Sequence, residues 1–134
     1  MINRFLVLFT GLMVSNMALS GHHKESEKLA PVASAGQVVV VYEVPCKNVV
    51  AGLASIKDLI AYEVKASPIS YSSSPATIGE GVIGAVDLHL SVASMQNAVA
   101  WQESDAKWKA MQAKSLEACG VTADDIKATI ILAQ

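Results

Sequence analysis

Asp87 and His89 stand two residues apart in Val82–Leu90 (VIGAVDLHL), an apolar run with the β-branched content of a strand. Side chains two apart in a strand share a face, so a carboxylate and an imidazole would stand side by side. Histidine titrates near pH ~6.5, which makes such a pair suited to moving a proton or orienting a ligand. A plain rim or interface pair is the alternative. Glu43 closes one strand and Lys127 opens another; a cross-strand ion pair is the simplest account of them. Trp101 and Trp108 offer flat surfaces for a ligand, or core filling. Gly21-His22-His23 would bind Cu(II) or Ni(II) through a free amine and histidine nitrogens if cleavage exposed Gly21, and is otherwise a polar leader.

Several chemistries are excluded. There is no HExxH, G-x-S-x-G, glycine-rich phosphate loop or CxxC. Cys46 and Cys119 are the only cysteines and lie too far apart in sequence for a zinc pattern. The net charge of −2 is too mild for a nucleic-acid or anionic-membrane partner, and no arginine follows Arg4. No cofactor is expected.

The chain of 134 residues suits one domain. Residues 1–20 combine Arg4, an apolar run from Phe5 to Val14 and the small residues of Ala18-Leu19-Ser20, the pattern of a cleavable signal peptide. The run is shorter than the ~20 residues a membrane span needs. A periplasmic or secreted location is therefore expected, without membrane attachment after cleavage. Residues 21–36 read as a flexible leader and 37–134 as the folded domain.

Within that domain Gln37–Val44 is a strand ended by Pro45. Val49, Leu53, Ile56, Ile60 and Val64 recur at helical spacing behind a candidate cap, Asn48, with Glu63 off the stripe. Ile69–Ser74 is a weaker strand and Pro75–Gly81 a turn. Ser91 caps a long helical stretch that shifts register near Gln102–Asp105 and stops at Gly120. Asp125–Ala133 is the last strand. The β-α-β-β-α-β order predicts an α+β, ferredoxin-like domain, with two helices on one face of a four-stranded antiparallel sheet. The fourth strand then lies beside the first.

That topology brings Cys46, just past the first strand, near Cys119, just before the fourth. A disulfide is expected in an exported chain, with two buried thiols as the alternative.

Alternation predicts that Val38, Val40, Tyr42 and Val44, with Val82, Val86 and Leu88, lie under the helices. The opposite face would carry Val39, Val41, Glu43, Asp87, His89 and Lys127, and its aliphatics suggest cover by a second subunit. A cavity there would be lined by Val41, Glu43, Asp87, His89 and Lys127, with Trp101 at its border.

The element order, with Ala100–Trp108 (AWQESDAKW) in the second helical stretch, resembles the dimeric α/β-barrel superfamily, in particular small antibiotic-biosynthesis-monooxygenase-type domains, from about Gln37 to Gln134. The resemblance implies a homodimer of paired sheets. It does not fix an activity, since the superfamily includes cofactor-free oxygenases, haem-degrading enzymes, isomerases and lyases. A haem-degrading role lacks a helical histidine. The expectation is a domain binding a small apolar molecule in a dimer cavity. The alternatives are a cofactor-independent oxygenase or isomerase using His89 and Asp87, or an N-terminal Cu/Ni-binding protein.

Overall fold

The first strand, β1 (Val38–Pro45), is five valines around Tyr42 and Glu43, with Val38, Val40 and Val44 buried. A computed structural model describes residues 29–134. The expected signal peptide, residues 1–20, and Gly21-His22-His23 lie outside the described residues.

After β1 come α1 (Val49–Ala66), β2 (Tyr71–Gly79), β3 (Val82–His89), α2 (Val92–Ser104), α3 (Ala106–Cys119) and β4 (Lys127–Leu132). The sheet order is β2-β3-β1-β4, every pair antiparallel, as expected for the ferredoxin-like α+β fold. Three side-chain caps set the helix starts. Asn48, Ser91 and Asp105 accept from the backbone N–H of Ala51, Ser94 and Trp108. Asp105 also ends α2, so the register shift near Gln102–Asp105 is a true break between two helices. Gly120 closes α3 in the left-handed conformation, φ 72°, as such a cap requires.

Two boundaries differ from expectation. β2 runs through Pro75 to Gly79, which leaves only Glu80 and Gly81 for the turn. Pro75 is tolerated because β2 is an edge strand, where a missing N–H need not break the ladder. β4 begins at Lys127 because Thr122 and Asp125 form a capping box around a short 3-10 turn, Ala123–Asp125. Within residues 21–36, Gly36 donates to the Ala133 carbonyl at 2.9 Å, tying the chain just before β1 to the end of β4.

Cys46 and Cys119 form a disulfide, with Cα atoms 4.2 Å apart across a sequence separation of 73. Gly52 of α1 passes directly beneath it. A Cβ there would lie within 2.6 Å of both sulfurs and of Ile83 Cδ1, so only glycine lets α1 approach this closely. Val44, Ile56, Ile60, Ile83 and Leu116 complete the apolar cluster around the bridge.

Candidate functional site

Residues directly opposite each other on neighbouring strands point to the same face. Val38 pairs with His89, Val40 with Asp87, Tyr42 with Ala85 and Val44 with Ile83. Asp87 and His89 therefore lie under the helices, with the buried valines of β1, and not on the opposite face as alternation along β3 suggested. The sequence misleads here because both alternate sets of β3 are largely apolar: Val82, Val86 and Leu88 against Ile83 and Ala85. The register with β1 decides between them. Val86 is consequently exposed, while Asp87 and His89 are 3% and 1% exposed.

Val41, Glu43 and Lys127 remain on the open face. Glu43 is opposite Lys127 in the β1–β4 ladder, yet the two form no ion pair among the described residues. The structure thus separates the expected pocket residues: Asp87 and His89 on one side of the sheet, Val41, Glu43 and Lys127 on the other.

A cavity of about 520 Å³ lies between the helices and the sheet, within one chain rather than between two. Its floor is Val40, Tyr42 and Val44 of β1, Ala85 and Asp87 of β3, and Ala128 and Ile130 of β4. Ile56, Leu59, Ile60 and Glu63 of α1, Met95, Val99 and Gln102 of α2, and Trp108, Gln112 and Leu116 of α3 form the roof. Ala128 and Ile130 line the cavity and are also exposed, so it opens to solvent along β4. The size and mainly apolar walls are those of a small-molecule site.

Polar groups gather at one end. Glu63 is buried in the last turn of α1, where the helix dipole disfavours a carboxylate. Its Oε1 accepts from Trp108 Nε1 at 2.5 Å and from Gln102 Nε2 at 3.3 Å. Gln102 Nε2 also donates to the Tyr71 hydroxyl at 3.2 Å. Burial pushes the Glu63 carboxyl above its usual range, and the bonds from Trp108, Tyr71 and Gln102 oppose this.

Asp87 lines the same cavity, and its Oδ1 has no hydrogen-bond partner. Its pKa is pushed up to about 7, chiefly by burial, with the Ser73 hydroxyl opposing and the Glu63 charge adding. His89 sits beside it, Nε2 to Oδ2 3.9 Å, too long for a hydrogen bond. Both its ring nitrogens are unpartnered, and burial holds its pKa down. The ring stacks on Tyr71 with centroids 4.9 Å apart. Asp87 and His89 are thus both driven toward their neutral forms. Tyr42, on the cavity floor, has its hydroxyl pushed up to about 12 by burial, with the charges of Asp87 and Glu63 adding.

The two tryptophans divide differently from expectation. Trp108 lines the cavity and fixes Glu63, whereas Trp101 packs outside it against Tyr62, centroids 6.4 Å apart. The Tyr62 hydroxyl donates to Asp105, so this outer cluster braces the α2–α3 break. Glu63, Gln102, Tyr71 and Ser73 are candidate site residues that the sequence alone does not single out. A signal existed for Glu63, because Ile56, Leu59 and Ile60 continue to 63 at helical spacing as well as to 64. Val64 is 74% exposed, which shows which continuation is right.

Comparison with protein-family models and with curated proteins finds no match. Solved structures do share the fold. A candidate antibiotic biosynthesis monooxygenase from Caulobacter crescentus superposes with a TM-score of 0.53 at 17% identity, covering 75% of this chain and 92% of that one. A conserved protein from Methanosarcina mazei gives 0.51 at 13%, covering 73% and 93%. SnoaB, a cofactor-independent oxygenase from Streptomyces nogalater, gives 0.50 at 9%, covering 75% and 95%. The chain has the ferredoxin-like α+β fold that these structures share.

Proposed function

We propose that this domain binds a small, mostly apolar molecule in the cavity between its helices and sheet, with the molecule's one polar end at Asp87 and Glu63. The observation that carries this reading is the cavity itself: about 520 Å³, largely aliphatic, open along β4 and polar at one end. Such a volume under a helical layer is too large to be a packing defect. Native mass spectrometry of the purified protein, followed by solvent extraction, tests it. A retained small molecule, or uptake of an apolar probe at one per chain, is expected. A chain that neither retains nor takes up any apolar molecule would overturn the reading.

A second reading, a cofactor-independent oxygenase, is favoured by Asp87. A buried carboxyl with a pKa near neutrality, facing an apolar cavity, is poised to accept a proton from a bound substrate. One of the proteins that share the fold is a cofactor-independent oxygenase. Oxygen uptake with a flat hydroxylated aromatic, lost in Asp87→Asn, would support it; no uptake would remove it.

The same proposal includes export, with removal of residues 1–20, and a homodimer through the open face that carries Val39, Val41, Val86 and Ile131. A disulfide suits an oxidising compartment, and no described helix is long and apolar enough to cross a membrane. Val41→Lys should dissociate the dimer, read by light scattering, because it would bury an unpaired charge.

A further inference from the structure

Asp87 and Glu63 line one cavity from opposite layers, Asp87 from the sheet and Glu63 from α1. Both are more than nine-tenths buried. Glu63 is held by neutral N–H donors on Trp108 and Gln102, which satisfy its oxygen without cancelling its charge. Asp87 Oδ1 has no donor among the described residues. Buried carboxyl oxygens are almost always paired, so an orphan one in a cavity wall marks a place where something else donates.

Among the described residues no fixed cation meets either group. The cavity's one basic residue is Lys109, exposed at the rim of α3, with the exposed Glu103 of α2 also at the rim. The remaining titratable groups facing Asp87 are His89 on its own strand, Tyr42 on β1 and Tyr71 on β2. Burial holds all three in their neutral forms. Above about pH 7, where Asp87 ionises, a neutral donor would satisfy Oδ1 but leave its negative charge uncompensated. An anion would be repelled.

We propose that the cavity selects lipophilic monocations, such as a primary amine carried on a flat apolar body, with the ammonium against Asp87 and Glu63. The aliphatic walls take the body. The ammonium supplies the missing donor and the missing positive charge together. This assignment rests on the small-molecule binding reading and specifies the class of ligand.

Three probes of one shape separate the outcomes: naphthylmethylamine, naphthylmethanol and naphthoic acid, titrated calorimetrically into the full domain at pH 8. The amine is expected to bind roughly ten-fold or more tightly than the alcohol, the scale of one charge-assisted hydrogen bond, and the acid least. Asp87→Asn, close to isosteric, should remove that preference while leaving alcohol binding unchanged. Glu63→Gln should reduce it with the Trp108 and Gln102 contacts kept. Lowering the pH to 5.5 should weaken the amine alone, because Asp87 is then protonated and cannot pair. Equal binding of amine and alcohol, or a preference that survives both substitutions, would overturn the cation assignment and leave the cavity reading standing. Binding of none of the three would count against the cavity reading itself.

Discussion

The two ends of the covered sheet face are built on opposite principles. Around Cys46 and Cys119 the chain is dense, apolar and cross-linked, with Gly52 letting α1 press against both sulfurs. Around Asp87 and His89 three buried polar atoms have no partner, and two buried acids face a cavity. Buried unpaired polar atoms cost stability, on the order of 1–3 kcal/mol each. The clamped end ties together two segments 73 residues apart in sequence. The polar end holds groups that packing alone does not require. That contrast is the reason the proposed site is set at the polar end, and it can be broken or sharpened by substitution.

The largest effect belongs to the clamp. Replacing both cysteines by serine opens a loop of 73 residues, and chain entropy gives roughly 4 kcal/mol as the upper figure for the loss. Urea unfolding should show it at every pH. A loss well under 1 kcal/mol would mean that apolar packing, not the bridge, holds this end.

Asp87→Asn should do the reverse, in a pH-dependent way. The folded Asp87 holds its proton up to about pH 7, whereas an unfolded aspartate loses it near 3.8. Its contribution is therefore most favourable below pH 4 and is lost as pH rises through 7. The asparagine variant should gain on the wild type between pH 5 and pH 8, by on the order of 2 kcal/mol. His89 changes in the opposite sense, since its lowered pKa removes stability as pH falls through its ordinary range near 6.5. Thermal melts of both proteins across that range measure the difference, which isolates Asp87. A difference that stays flat with pH would mean Asp87 is ionised when folded.

The smallest effect lies on the open face. Glu43→Gln should alter stability by less than ~0.5 kcal/mol, because Glu43 and Lys127 are in register but form no ion pair among the described residues. A double-mutant cycle with Lys127→Gln should give no coupling; a coupling near 1 kcal/mol would show a pair formed in solution.

Local signals account for much of what the sequence reveals. Asn48, Ser91, Asp105 and Gly120 each start or end a helix by chemistry that acts within a few residues. Strand order follows from the element order, and the disulfide follows from strand order. The site was less legible because it depends on choices made between strands. Which face β3 turns inward is a matter of register with β1, and its own residues do not decide it. Glu63 sits at a position where two apolar stripes diverge by one residue. The cavity itself depends on how far α2 and α3 stand off β4, a property of packing that no periodicity encodes.

The central claim is that the ligand site lies under the helices rather than on the open sheet face, and a matched pair of bulky substitutions tests it directly. Met95→Trp fills the cavity from α2, whereas Thr129→Trp adds the same side chain to the open face of β4. Binding of an apolar fluorescent probe, titrated against both folded variants, should be abolished by Met95→Trp and unchanged by Thr129→Trp. Loss of binding in Thr129→Trp with full retention in Met95→Trp would contradict the account.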